Sequence, residues 1–565
     1  MSRHDLDLAD IQGNILRAYG RYGFPFARYY ILGIKSGRAA EGRAFVDRVR
    51  PRVTSAVRWN TGPNANAADA VPAPDSTLNI AFTFYGLLAL GLPTPTLARM
   101  PPEFIDGMAA RSYILGDEGP NAPEHWDPIW RKGATPRADD EGNGKIAAVD
   151  DTGEIHIWIS INARDPDHLG AAHDWLMGAI AEHAIGVQLL TGHGPDNAPY
   201  QDASALFQRD AEGNPVPSPK EHFGFTDGIG NPVFSGQYEP QAEARLVLGR
   251  GKLMPDQTWA PLATGEFLLG HADESQELPP VAPPWELTRN GSYMVFRKLH
   301  ENVKSYLGYI SGQSRLYARV MGMDPDDETH LEIARETMMA KMAGRWTDGI
   351  PLMAAGSYEE WQQLRREWDD IPALQATRAR TPEQQARLDT YRRMLIDFTY
   401  GDDKDGTKCP YGAHIRRANT RDMLDPMLTS PDPSERTGSS LNKRRRILRR
   451  GLPYGASDPD NPTDDGEHGI IFIAVCASLG RQFEFVQQQW MQYGLDFNVG
   501  NDTCPLIGNH DGKTKFVITA DPQGDKPPVI CANMPQFVTT RGGDYFFIPG
   551  LNGLRMIAEG SVDPT

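Results

Sequence analysis

His414 stands in an unusual setting among the 14 histidines of the chain. It sits in KCPYGAHIRRANTR (408–421), where Arg416, Arg417 and Arg421 make a rare basic spot in an acidic protein. An isolated exposed imidazole gains nothing from three guanidinium neighbours. An imidazole on a metal centre with anionic substituents would, because the arginines can pair with carboxylates of that cofactor. A basic helix answering the acidic GDDKDG at 401–406 accounts for this segment equally well. A second segment, EHFGFTDGIGNP (221–232), places Asp227 among Gly224, Gly228 and Gly230. Small residues beside a carboxylate let a bulky planar group approach the backbone. Asp-Gly is also a common turn, in which the carboxylate satisfies nearby amides. In the third segment, RRRILRRGLPYG (444–455), Arg449 and Arg450 precede Gly451 and Pro453. Here an arginine delivered into a pocket competes with a solvated basic strand.

Familiar cofactor signatures are missing. GFTDGIGNP carries glycines but not the GxGxxG that follows a strand in dinucleotide-binding folds. There is no GxxxxGK[ST], HExxH or GxSxG. CPYGAH lacks the second cysteine of a covalent haem attachment.

These segments need a scaffold. FARYYILGI (26–34) reads as a buried strand. STLNIAFTFYGLLALG (76–91) joins a strand to a helix that stops near Gly91. EIHIWISI (154–161) reads as an alternating strand, and 165–190 as a helix returning into a strand. This order is the ferredoxin-like rhythm of strands and helices. A second series begins after residue 220. TGEFLLG (264–270), GSYMVFRKL (291–299), GIIFIAVCA (469–477) and DYFFIPG (544–550) read as strands, and 301–345 as mostly helical. RQFEFVQQQWM (481–491) puts Phe483, Val486 and Trp490 on one helical face. The segment 358–398 reads as a charged helical insertion in which Thr381 caps a helix with Pro382 at its first position. The Pro/Ser/Gly-rich stretch 422–443 reads as a loop.

Composition bounds the function. The 565 residues carry 57 Lys+Arg against 74 Asp+Glu, a net charge of -17, which disfavours nonspecific binding to nucleic acid or anionic membranes. Four cysteines make no disulfide scaffold. No stretch reaches the ~18 apolar residues of a membrane-spanning helix. The start of the chain is polar and mixed in charge, so a cytoplasmic location is the expectation.

At the residues quoted, the chain resembles the dye-decolorizing peroxidases, a family of haem enzymes. GFTDG (224–228) is similar to that family's GxxDG signature, AHIRRANTR (413–421) to its proximal-histidine segment, and ILRRGLPYG (447–455) to the segment of its distal arginine. DIQGNIL (10–16), GRWTDGIPL (344–352), RQFEFVQ (481–487) and GGDYFFIPGL (542–551) fit as well. Length and the 358–398 segment resemble the larger bacterial members. The resemblance implies an α+β fold of two ferredoxin-like domains with antiparallel sheets and peripheral helices. The domains would be 1–219 and 220–565, the second holding haem b non-covalently and carrying insertions at about 356–400 and 422–443.

By the same resemblance His414 is the iron ligand, Asp227 and Arg449 (rather than Arg450) are the catalytic pair, and Arg421 and Gly228 lie at the cofactor. The second ring nitrogen of His414 needs an acceptor, for which Glu484 and a backbone carbonyl are both candidates; a surface carboxylate accounts for Glu484 equally well. The implied activity is reduction of hydrogen peroxide with oxidation of dyes, phenols or other one-electron donors by a ferryl intermediate. The partners are then peroxide and small reductants, with no nucleic acid or membrane and with self-association open. A haem carrier or sensor, or another haem oxidoreductase such as a chlorite-decomposing enzyme, is the alternative.

Overall fold

The computed structural model describes residues 6–62, 67–133, 155–210, 212–377, 380–428, 430–458, 460–512, 514–519 and 526–563. Of the segments read above, the first five and last two residues, Glu154, residues 378–379 and Thr429 lie outside these. The apolar run at 26–34 forms β1 (Phe26–Ile34) as expected. It is followed by α1 (Ala39–Val49), β2 (Ser76–Phe82), β3 (Ile157–Ala163), α2 (Pro166–Glu182), β4 (Val187–Leu189) and β5 (Gln201–Ser204). α2 starts where Asp165 accepts the His168 N–H at 2.9 Å, a side-chain N-cap. β3 pairs antiparallel with β1 and β2, while β4 and β5 share the other edge of β1. The strand order β2-β3-β1-β4 is that of a ferredoxin-like unit.

The second half repeats the pattern with longer excursions. β6 (Ser292–Glu301) leads into α3 (Val303–Met321) and α4 (Glu328–Ala343), then α5 (Tyr358–Glu367) and α6 (Pro382–Leu395) of the charged insertion. α6 begins with a reciprocal cap between Thr381 and Gln384 and with Pro382 in its first turn, as its sequence requires. The short α7 (His414–Ala418) precedes β7 (Leu448–Arg449), β8 (Leu452–Tyr454) and β9 (Gly469–Cys476). Wide, π-type helical turns at Leu479–Glu484 and Val486–Gln492 bury Phe483, Val486 and Trp490, the apolar face read from sequence. β10 (Val538–Ile548) and α8 (Leu551–Glu559) close the chain's described part. β9 and β10 flank β6, and β7 and β8 lie outside β9, so the order again matches the ferredoxin-like unit.

One residue pair, Phe547 with Phe82, joins the two halves into a ten-stranded sheet. That sheet is strongly curled. Four strand spacings separate β1 from β6 in the ladder, about 19 Å if flat. Yet Tyr29 of β1 and Phe296 of β6 have ring centroids 5.6 Å apart. Trp158 of β3 also meets Phe296, at 6.4 Å. The curl lets each half cover the other's inner face. Every residue of β3 is therefore buried, rather than alternating as its sequence suggests.

TGEFLLG is not a strand. It forms a tight helical turn at Thr264–Glu266, and its apolar residues Phe267 and Leu268 are buried individually. A three-residue apolar run is too short for periodicity to distinguish the two. A second apolar core gathers Tyr306, Met338, Trp346, Cys409, Ala413, Cys504 and Phe537 beside α3, α4 and α7. Among the described residues no helix is long and apolar enough to cross a membrane.

Candidate active site

Residues 219–228 close into a turn that presents Asp227. The Asp227 N–H donates to the Pro219 carbonyl at 2.9 Å, and the Glu221 N–H to Phe225 at 3.0 Å. The Glu221 carboxylate accepts the N–H groups of Phe223 and Phe225, both at 2.7 Å. It also hydrogen-bonds the carboxyl of Glu301 at the end of β6. Burial raises both carboxyls, Glu221 to about 7, and nearby Asp227 raises them further, so the pair retains a proton near neutrality. Gly228, at φ +72°, takes the left-handed conformation that turns the chain away after Asp227.

Arg449 reaches this turn from the sheet edge. Its position is fixed by pairing with Ala474 of β9 and by its N–H, which donates to Asn231 Oδ1 at 2.8 Å. Arg449 Nη1 donates to Asp227 Oδ1 at 2.8 Å, joining residues 222 positions apart. The side chains are 33% and 41% exposed, so the pair is open to a small molecule. Arg450 faces the other way, as strand alternation requires. Its guanidinium donates to the carbonyls of Asn14 (2.7 Å), Ile15 (2.6 Å) and Arg449 (2.8 Å).

The histidine segment touches the same turn. Arg421 Nη2 donates to the Gly230 carbonyl at 3.3 Å. Gly230 has φ +80°, and a Cβ there would fall 2.3 Å from the Phe398 ring and 3.0 Å from Asn419 Nδ2. Only glycine permits that approach. The segment 344–352 bridges both sides. The Thr226 N–H donates to Thr347 O at 3.0 Å, while Gly344 lies against Ala413 and Ile415.

The three arginines beside His414 have different tasks. All are fully buried. Arg416 forms an ion pair with Asp403 at 2.7 Å, so for this residue the acidic 401–406 stretch is the answer. The Asp403 carboxylate also accepts the N–H groups of Thr407, Lys408 and Cys409 and the Thr407 hydroxyl, which bend the chain into α7. Arg417 donates to Tyr493 O at 2.6 Å and leaves Nε and Nη1 without a partner among the described residues. Arg421 donates to Gly249 O (2.9 Å), Asn419 Oδ1 (2.9 Å) and Gly230 O. Neither Arg417 nor Arg421 meets a carboxylate among the described residues. Burial lowers both guanidinium pKa values, for Arg421 well below the ordinary range with Arg446 adding repulsion.

His414 Nδ1 lies 3.1 Å from Cys504 Sγ, and Nε2 has no hydrogen bond among the described residues. Glu484 does not take the place expected for it beside His414. Its carboxylate accepts Arg111 Nε and Nη2 at 2.6 and 2.7 Å and the Tyr545 hydroxyl at 2.9 Å. A buried carboxylate with an arginine in reach is captured by it, and Arg111 belongs to the other half of the chain, which no local pattern announces. Cys504, in DTCPLIG, carries only the signal of a cysteine before a proline turn. Burial pushes its thiol up, but His414, Arg417 and the Ile507 N–H outweigh this and bring it down to about 7. Among the described residues no three or more His, Cys, Asp or Glu side chains are grouped to hold a metal ion.

A family model described as Dyp-type peroxidase, C-terminal, matches residues 325–496. Peroxidase 2 of Mycetinis scorodonius is 26% identical over 97% of this chain and 87% of its own. Multifunctional dye peroxidase DyP2 of Amycolatopsis sp. is also 26% identical, over 97% and 96%. Fungal and bacterial relatives are thus equally near, and the larger bacterial members are not singled out. A solved decolorizing peroxidase from Auricularia auricula-judae superimposes with TM-score 0.65 at 23% identity, covering 98% of this chain and all of that one. DyP2 does so with TM-score 0.62 at 24% identity, over 97% of this chain and 96% of its own. The fold is therefore the two-part α+β architecture of these proteins. Residues 325–496 thus match the C-terminal model of the Dyp-type peroxidases, and the whole chain is similar to such peroxidases over nearly all of its length.

Proposed function

We propose that this protein is a haem peroxidase that reduces hydrogen peroxide to water and oxidises dyes, phenols or similar one-electron donors. The observation that carries this reading is the Arg449–Asp227 pair, 2.8 Å apart and part-exposed, on a turn that also touches the His414 segment through Gly230 and Arg421. A haem carrier or sensor has no use for such a pair.

The residues suit haem b. His414 offers a ring nitrogen with no partner among the described residues, which is the single ligand that haem iron requires. Buried cations without counter-charges are costly. Arg421 and Arg417 are such cations, and the propionates of a haem would supply the missing charge. We accordingly assign His414 as iron ligand, Arg421 as propionate partner, Gly228 as part of the close-approach turn, and residues 220–565 as the unit that holds the group. The four cysteines are free and buried, which fits a reducing, cytoplasmic setting.

Haem iron, when bound, supplies the cleavage of the peroxide O–O bond and stores two oxidising equivalents. Asp227 supplies proton movement. Ionised, its carboxylate takes a proton from one peroxide oxygen and returns it to the departing oxygen, which leaves as water. Arg449, 2.8 Å from Asp227, places a fixed positive charge where negative charge develops. Each peroxide thus consumes two electrons and two protons, the electrons coming from two donor molecules. The test is peroxide turnover by the haem-loaded protein and its D227N variant. We expect D227N to bind haem normally and react with peroxide about 10²–10⁴ times more slowly. An unchanged rate would remove Asp227 from the reaction.

A further inference from the structure

The sulfur of Cys504 occupies the position beside His414 Nδ1, at 3.1 Å, and both lie in the second apolar core or at its edge. Cys504 is itself fully buried. Its backbone is tied on both sides: its N–H donates to Met491 O at 2.7 Å, and its carbonyl accepts the Gly508 N–H at 2.9 Å. Pro505 follows, so the sulfur is carried on a constrained turn rather than on a mobile loop. Arg417, one helical turn beyond His414, keeps two buried nitrogens without partners among the described residues. The Glu484 carboxylate is held by Arg111 and Tyr545 and does not compete.

We propose, resting on the assignment of His414 as iron ligand, that Cys504 is a positioning residue for that histidine: its sulfur accepts the Nδ1 proton and so leaves Nε2 as the ligating nitrogen. The partner of a ligating histidine fixes the tautomer and ring orientation and sets the basicity of the ligand. A buried sulfur is a weaker, more diffuse acceptor than a carboxylate. Cys504 therefore orients the imidazole firmly while withholding the strong electron donation that an aspartate there would impose. The iron of this protein is accordingly less electron-rich than an otherwise identical site with a carboxylate partner.

The test uses the haem-loaded full chain and the variants C504D, C504S and C504A, with thermal melts to confirm that each is folded. The readouts are the iron–histidine stretching band of the ferrous protein by resonance Raman and the Fe(III)/Fe(II) midpoint potential. With C504D the band moves up and the potential falls. With C504A the band moves down and haem affinity drops about 10–100-fold, and C504S lies between. Nitrogen-15 shifts of the His414 ring in the apoprotein report the same tautomer preference without haem, and the preference weakens in C504A. Folded C504D and C504A with the band and potential of the parent overturn the role of Cys504 while leaving His414 as ligand. A parent protein with no iron–histidine band overturns the assignment of His414 itself.

Discussion

The neighbours Arg449 and Arg450 show how much a single side chain's direction decides. Both are arginines in the same RRG context, and the sequence alone gives each a claim on the site. The structure sends Arg449 to Asp227 and Arg450 to the carbonyls of Asn14 and Ile15. Their variants should differ in kind. R449A should slow the reaction with peroxide by orders of magnitude with little change in melting temperature, because the side chain is part-exposed. R450A should leave that reaction unchanged and cost about 1.5–3 kcal/mol of stability through lost charged hydrogen bonds. Stopped-flow mixing with peroxide and denaturant melts separate the two. Asp227, His414 and Arg449 stand out in the sequence because each lies in a glycine- or arginine-rich context, and the meeting of Asp227 with Arg449 is what the structure adds. Cys504 was not legible, since nothing in DTCPLIG distinguishes a cysteine facing an imidazole from one filling a core.

At the level of elements, the Asp227 turn rests on the carboxyl pair Glu221 and Glu301. Glu221 stands at about 7 in the folded protein against an ordinary value of 4.5, raised chiefly by burial. A carboxyl whose pKa is raised by folding stabilises the fold fully below its unfolded pKa. That contribution is lost as pH rises through the folded value. Stability should therefore decline from about pH 5 to pH 8, and E301Q, which removes one of the two titrating carboxyls, should flatten the decline. Urea melts of parent and variant across this range check it; parallel curves would show that the pair contributes nothing. The strand at 26–34 was read with its boundaries, and the Thr381 cap was read correctly, because both depend on local chemistry. TGEFLLG was misread because its burial comes from distant partners.

Over the whole molecule, the ferredoxin-like rhythm was visible in each half but the curl of the shared sheet was not. Contacts such as Tyr29 with Phe296 join residues far apart in sequence. The Glu484–Arg111 clamp belongs to this scale, since it ties the first half to the turns after β9. Glu484 is 4% exposed, and E484A leaves Arg111 with Asp106 but takes the acceptor from buried Tyr545, which should cost about 1–3 kcal/mol. The haem absorption band of the folded variant should stay as in the parent if Glu484 holds the halves and not the histidine. Following far-ultraviolet circular dichroism and haem absorbance through one denaturant titration tests both expectations.

β7 is only two residues long, and its outer neighbour is loop. A deletion of one residue ahead of Leu448 would let the ladder slip and exchange which guanidinium meets the carboxylate, whereas a change of two would restore the original facing. Loop length before this strand is thus constrained in parity, and natural variation there should come in even steps wherever the edge pairing is kept.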